Sequence, residues 1–192
     1  MAERLTDDVG LQLLANAAAT VGVLYTIIVM FGPVSGAHFN PVVTFAEAVL
    51  GDRPWSDVAP YIAAQIAGGA VGAMIANLMF ELDPINVSAK VREGEGQFIG
   101  EIVATFGLVF LVFALVRSDR DRLVAGAVAA YIGGAYWFTS STSFANPAVT
   151  VTRTLSDTFA GIDPANAPMF VVMQLVGAGL AVAALRVIYP SD

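Results

Sequence analysis

Two short motifs in this sequence join an amide side chain to a proline. They comprise Asn40, Pro41 and Val42 in the first half of the chain, and Asn146, Pro147 and Ala148 in the second. Because asparagine is a preferred N-cap and proline is favoured at the first helical position, each motif predicts a helix start. The amide can donate to a passing water or hydroxyl group, which is the chemistry of solute orientation rather than of bond cleavage. One such pair is most often an ordinary helix cap, but two at matching places predict a pore midplane.

Other side chains that could do chemistry are isolated. His38 stands without the cysteine, second histidine or carboxylate partners that a metal site needs, and the sequence has no cysteine. We therefore expect no metal site and no cofactor, and we interpret His38 as a structural residue whose carbonyl faces the pore. The carboxylates are scattered and form no catalytic constellation, so we do not expect an enzyme.

The segments around these motifs are strongly apolar. Hydrophobic residues make up 57% of the 192 and charged residues only 13%, with a mean hydropathy of +0.72. A helix needs about 20 mainly apolar residues to cross a bilayer. Five stretches qualify, namely 9–31, 58–80, 98–116, 123–138 and 169–188. We expect an all-α protein surrounded by membrane lipids, and the sequence shows no basic patch for nucleic acid.

The helices that the two motifs begin are too short to cross a membrane. They are expected over 41–50 and 147–155. Irregular backbone is tolerated at membrane depth only where it lines a cavity or is packed in protein. The stretches before the motifs, Ser35-Gly-Ala-His-Phe39 and Ser140-Ser-Thr-Ser-Phe-Ala145, would supply carbonyls to such a cavity. We therefore expect two re-entrant half-helices, whose facing N-termini repel cations and whose amides interrupt proton hopping.

The two motifs also define an internal repeat. Each is followed by a span that carries Gln-x-x-Gly, at Gln65 and at Gln174. An odd number of crossings separates the copies, so they must lie upside down relative to each other. We expect one domain over 1–192, with a first repeat at 1–82 and a second at 96–192. The arginines of loop 117–122 predict that this loop is cytoplasmic.

The second repeat has a leading span, 97–116, without a counterpart in the first. Repeat logic therefore predicts that a first transmembrane helix of about 25 to 30 residues is absent, through truncation, a misassigned start or genuine loss. The alternative is a native protein with five spans and its termini on opposite sides of the membrane.

The motifs resemble the two signatures of the aquaporin and aquaglyceroporin (major intrinsic protein) family. The resemblance rests on Ser35-Gly-Ala-His-Phe-Asn-Pro-Val-Val-Thr44 and Phe144-Ala-Asn-Pro-Ala-Val-Thr150. It implies six transmembrane helices, of which five are present here, two half-helices, and a homotetramer with a pore in each subunit. It also implies that Glu101 braces a pore loop, whereas a solvated end charge is the alternative. Gln65 and Gln174 are expected to make structural bonds between helices.

The same resemblance implies an outer constriction of four side chains. Counted from the two asparagines, these positions are Thr20, Gly134, Ser143 and Val149. Threonine replaces the family's usual aromatic residue and valine its usual arginine, so we expect a wider and less cationic constriction than in water-selective members. Two hydroxyls beside glycine and valine suit a neutral polyol that must replace its hydrogen bonds with water.

The residues after Val149 make the expectation about the substrate more specific. Arg153-Thr-Leu-Ser-Asp-Thr-Phe-Ala-Gly-Ile162 resembles bacterial aquaglyceroporins associated with arsenic resistance. This implies passive passage of glycerol, arsenite-type metalloid hydroxides and water, without ions or protons, through a bacterial inner membrane. Arg153 lies one turn beyond Val149 and would either form a positive collar at the outer mouth or pair with Asp157 at i,i+4. The alternatives are a water-selective aquaporin and a non-conducting truncated family member.

Overall fold

A computed structural model describes residues 1–190. Within that range the regular elements are all helical, and the only β pairing is an isolated bridge between Asn86 and Ser156. The helices are α1 Ala2–Leu5, α2 Val9–Ser35, α3 Pro41–Leu50, α4 Trp55–Met79, α5 Glu95–Arg117, α6 Val124–Phe138, α7 Pro147–Thr152 and α8 Ala167–Ile188. Short 3-10 turns, Asp121–Leu123 and Arg153–Leu155, precede α6 and follow α7.

Four helices are long and apolar enough to cross a membrane, namely α2, α4, α5 and α8. The remaining predicted span, 123–138, is also a helix, α6. It has 15 residues, fewer than the about 20 that a perpendicular crossing needs. The prediction of an all-α protein with membrane-capable helices is confirmed.

The ends of the helices follow the capping signals in the sequence. Asp8 begins α2 by accepting a hydrogen bond from the Leu11 amide at 2.9 Å. Gly36 ends the same helix with a φ of 77°, in the left-handed region that favours glycine. The half-helices predicted at 41–50 and 147–155 are α3 and α7, the second completed by its 3-10 turn.

Helix α5 is the centre of the packing. One apolar cluster joins it to α3 and α8 through residues such as Val42, Val109 and Leu185. A second cluster joins it to α2 and α6 through residues such as Ala17, Leu108 and Ile132. By contrast, only 6% of the apolar window of α2, and the same share of α4, is buried. Helices α5 and α8, with 50% and 33% of their apolar windows buried, are therefore more enclosed by protein than α2 and α4.

Candidate functional site

The two Asn-Pro motifs meet in space. Each asparagine caps its own short helix through Oδ1, which accepts from the Val42 amide at 3.1 Å in one case and from the Ala148 amide at 3.0 Å in the other. Each Nδ2 then crosses to the opposite loop, Asn40 donating to the Ala145 carbonyl and Asn146 to the Phe39 carbonyl, both at 2.8 Å. An amide nitrogen has two hydrogens, so each residue keeps a second donor beside its structural bond.

Both asparagines line one cavity. Its volume is about 170 Å³, and its lining also includes residues of loop 36–40, Thr20 and Arg153. A water molecule takes about 30 Å³ in the liquid, so several can line up inside it. The apolar wall comes from α2, α5 and α6, and it includes Leu24, Ile28, Leu108, Val112, Val128 and Ile132. Polar groups opposite such a wall suit a conduit that replaces part of a solute's hydration.

The backbone that leads into each motif is strained. Ala37 and Phe39 before α3, and Thr142, Ser143 and Ala145 before α7, all have φ between 46° and 60°. Non-glycine residues in the left-handed region cost about 1–3 kcal/mol each and persist only where surrounding contacts enforce them. Contacts that brace these two loops are therefore part of the site.

Glu101 braces the second loop. Its side chain is completely buried, and its carboxylate accepts from the amides of Phe144 and Ala145 at 2.9 and 2.8 Å. Gln174 Nε2 donates to the same carboxylate at 2.6 Å and to Thr150 Oγ1 at 2.8 Å. This placement differs from the alternative of a solvated end charge at the membrane interface.

The first loop has a different brace. Gln65 Nε2 donates to Thr44 Oγ1 at 3.0 Å, as Gln174 does to the matching threonine. Thr44 Oγ1 also lies 3.0 Å from His38 Nδ1, and His38 Nε2 lies 3.4 Å from Glu47 Oε2. Arg53 Nε donates to the same Glu47 oxygen. His38 therefore does have a carboxylate neighbour, which corrects the sequence interpretation, because helix α3 turns Glu47 back toward the loop. Residues 1–190 contain no metal-binding group of His, Cys, Asp and Glu.

Three of the four residues predicted for the outer constriction line the cavity, and one does not. Thr20, Ser143 and Val149 border it, whereas Gly134 lies on the exposed face of α6. Helix α6 instead presents Ile132 and Tyr136 to the cavity. Each is two residues from Gly134, which at about 100° per residue places them on the opposite side of the helix.

Arg153 completes the outer end of the cavity. Its Nη2 donates to the Tyr136 hydroxyl at 3.2 Å, and that hydroxyl lies 3.1 Å from Thr20 Oγ1. Its guanidinium lies 4.5 Å from the centroid of the Phe144 ring. Among the described residues Arg153 makes no ion pair with Asp157, whose carboxylate accepts from the Ala89 amide at 3.0 Å. We call Thr20, Tyr136, Ser143, Val149 and Arg153 the outer ring. Tyr136 is the member that the sequence reasoning missed.

Comparison with known proteins decides the family. The family model described as Major intrinsic protein matches residues 2–143, which is most of the chain. The chain belongs to the major intrinsic protein family. The aquaglyceroporin AqpS of Rhizobium meliloti (strain 1021) is 47% identical over 186 residues, which cover 97% of this chain and 79% of the relative.

More distant relatives match a smaller part of the chain. Aquaporin NIP3-1 of Arabidopsis thaliana is 34% identical over 117 residues, 56% of this chain and 36% of its own length. A glycerol uptake facilitator protein of Bacillus subtilis (strain 168) is 33% identical over 118 residues, 53% of this chain and 43% of its own length. The family resemblance predicted from the two motifs is thus confirmed, and the protein is an integral membrane transport protein rather than an enzyme.

Proposed function

We propose that the protein is a passive channel for small neutral solutes and water, and that the cavity between the two motifs is its conduit. The observation that carries this proposal is that a single cavity is lined by both asparagines and by the outer ring. Two of the matched relatives are named for aquaglyceroporin and glycerol uptake activity, which supports a solute larger than water.

The outer ring favours a hydroxylated solute. Thr20, Tyr136 and Ser143 border the cavity and carry hydroxyls, and those of Thr20 and Tyr136 lie 3.1 Å apart. A solute that leaves water loses hydrogen bonds, and these hydroxyls can replace them. Glycerol and the neutral trihydroxide of arsenic(III) make the same demands on such a ring, and we propose both as substrates.

Arg153 gives the outer ring a positive charge, as in one of the two alternatives that the sequence leaves open. Val149 replaces the arginine usual in the family, but Arg153 brings a guanidinium to the same end of the cavity. Its hydrogen bond to Tyr136 supports the collar hypothesis over the pair with Asp157. We propose that this cation and the two asparagine amides exclude cations and protons.

We further propose the family architecture for the whole chain. Helices α3 and α7 would be re-entrant, and α6 would cross the membrane as α2, α4, α5 and α8 do. Repeats 1–82 and 96–192 would be inverted copies. Loop 117–122 would face the cytoplasm of a bacterial inner membrane, and four subunits would assemble, each with its own pore. The matched bonds of Gln65 to Thr44 and of Gln174 to Thr150 support the repeat.

Two matching glycines are packed differently, and the difference bears on the leading helix expected for the first repeat. Gly177 in α8 packs so closely on α5 that a Cβ there would lie 2.5 Å from the Ile102 carbonyl oxygen. Its counterpart in the first repeat, Gly68 in α4, has nothing within 4 Å. A helix in the place that α5 takes in the second repeat would cover Gly68.

The channel proposal is tested by reconstituting the protein in liposomes and following volume changes under water, glycerol and arsenite gradients. We expect fast equilibration of all three. In Val149→Arg, a second guanidinium beside Arg153 should slow glycerol about tenfold or more while water flux persists. Val149→Leu adds bulk without charge and serves as the matched control.

Three results would contradict the proposal in different ways. Fast water flux with negligible glycerol flux in the wild type would indicate a water-selective channel. No flux of any solute from correctly assembled protein would indicate a non-conducting member. Equal glycerol flux in Val149→Arg and the wild type would place the constriction elsewhere.

A further inference from the structure

Arg92 is a buried cation in the loop between α4 and α5. Only 5% of the residue is exposed, and its guanidinium binds three carbonyls of the loops on either side of α7. Nε donates to Gly161 at 2.7 Å, Nη1 to Ser141 at 3.2 Å and Nη2 to Phe159 at 3.1 Å. The planar guanidinium is suited to such a fork, because its donors point in fixed directions. Arg92 therefore ties the loop before the second motif to the loop after it.

Arg92 and Arg153 share one aromatic ring. Their guanidinium carbons lie 4.8 and 4.5 Å from the centroid of Phe144, the residue whose amide Glu101 binds. A cation within about 6 Å of a ring face is attracted to it, so Phe144 is held by both arginines. The two positive charges also repel each other, which favours any arrangement that directs Arg153 away from Arg92.

Arg92 remains charged at neutral pH. Burial, followed by the positive charge of Arg153, lowers the pKa of Arg92 to about 10, while Glu101 and Tyr136 act in the opposite direction. Among the described residues no carboxylate forms an ion pair with it. An unpaired buried cation costs free energy that a purely structural link between loops does not need. Lys90, in the same loop, already binds the Phe159 carbonyl at 2.7 Å.

We propose that Arg92 is a positioning residue of the outer ring, an inference that rests on the proposed channel function. Its fork fixes the loop that carries Ser143 and Phe144, and its charge keeps the Arg153 guanidinium turned toward Tyr136 and the lumen. Arg92 does not line the cavity, so it acts on the solute through Arg153, which packs on the Phe144 ring that the fork holds in place.

A double-mutant cycle tests the inference. The full-length channel is reconstituted as wild type, Arg92→Gln, Arg153→Ala and the double variant. Fluxes of glycerol and of the four-carbon polyol erythritol are each normalised to the water flux of the same liposomes. We expect Arg92→Gln to change the erythritol to glycerol ratio about threefold or more, and by less than about 1.5-fold when Arg153 is already alanine. Lys90→Gln removes a cation from the same loop and should leave the ratio at the wild-type value.

Each outcome decides the question. Independent effects of the two substitutions, or an equal effect of Lys90→Gln, would overturn the inference. If Arg92→Gln does not assemble, Arg92→Lys keeps the charge without the fork, and a change in the ratio that is the same in the Arg153→Ala background would also overturn it. If the wild type passes water but no glycerol, the solute-channel proposal is overturned and the inference about Arg92 is not. The same double-mutant cycle is then measured as water permeability.

Discussion

Glu101 shows how one buried charge organises the second motif. Its carboxylate accepts hydrogen bonds from two backbone amides and one side-chain amide, all within 2.9 Å. The two backbone amides belong to Phe144 and Ala145, which lie in a loop with several residues in the left-handed region. Hydrogen bonds to an ionised acceptor are roughly twice as strong as neutral ones. The strained loop is therefore stabilised from behind, on the side away from the cavity.

Glu101→Gln tests this brace. The amide keeps one acceptor oxygen but turns an NH₂ group toward donors, so at least one buried donor loses its partner. We expect a destabilisation of about 2–4 kcal/mol, measured as a lower thermal unfolding temperature in detergent. Glu95→Gln, at the exposed first turn of the same helix, is the matched control. Equal unfolding temperatures for the two variants would contradict the bracing role.

The residues of the outer ring mark the limit of sequence reasoning. Thr20, Ser143 and Val149, counted from the asparagines, border the cavity. Gly134, counted in the same way, lies on the exposed face of α6, whereas Ile132 and Tyr136 lie on the cavity side. Counting along the chain does not show which face of an apolar helix turns inward. A tyrosine four residues after Ile132, in an otherwise apolar span, was the available signal for Tyr136.

At the scale of elements, the helices were predictable from apolar length and from caps. The starts of α3 and α7 follow from Asn-Pro, and the end of α3 coincides with Gly51, whose φ is 93°. Which face of each helix is covered could not be predicted, because the long helices are apolar on all sides and give no amphipathic signal. Only the contacts show that α5 is central and that α4 is largely exposed.

Two matched glycines test the packing of the repeats. Gly177→Ala places a Cβ against the α5 backbone, so α5 and α8 must separate, at a cost of about 1–3 kcal/mol. Gly68→Ala meets open space in this structure and should stabilise α4 by about 0.5–1 kcal/mol, as alanine does within a helix. Thermal unfolding of both variants in detergent measures the difference. A loss of stability in Gly68→Ala as large as that in Gly177→Ala would show that a further helix already covers this face.

For the whole molecule, composition and the repeated motif were enough to predict a membrane protein of this family. A chain this apolar is suited to few environments other than a bilayer. Two Asn-Pro motifs between apolar spans are a combination that is specific for this family. The reciprocal hydrogen bonds from Asn40 to Ala145 and from Asn146 to Phe39 join residues more than 100 positions apart, so no local pattern could predict them. Repeat symmetry predicts that the motifs meet, and the structure shows which atoms do.

The inverted arrangement makes a prediction about sidedness that the cysteine-free sequence allows to be tested directly. If α2 crosses and α3 enters and leaves on one side, Asp7 and Asp52 face opposite compartments, with Asp119 on the side of Asp52 and with Asp83 and Ala165 on the side of Asp7. Each residue is replaced in turn by cysteine and treated in intact cells with a thiol reagent that does not cross the membrane. We expect labelling at positions 83 and 165 and protection at 52 and 119 until the cells are opened, because the arginine-rich loop stays inside. Position 7 should be labelled as well, and its protection together with position 52 would mean that α3 crosses the membrane, so that the two asparagines could not meet as the ends of inverted half-helices.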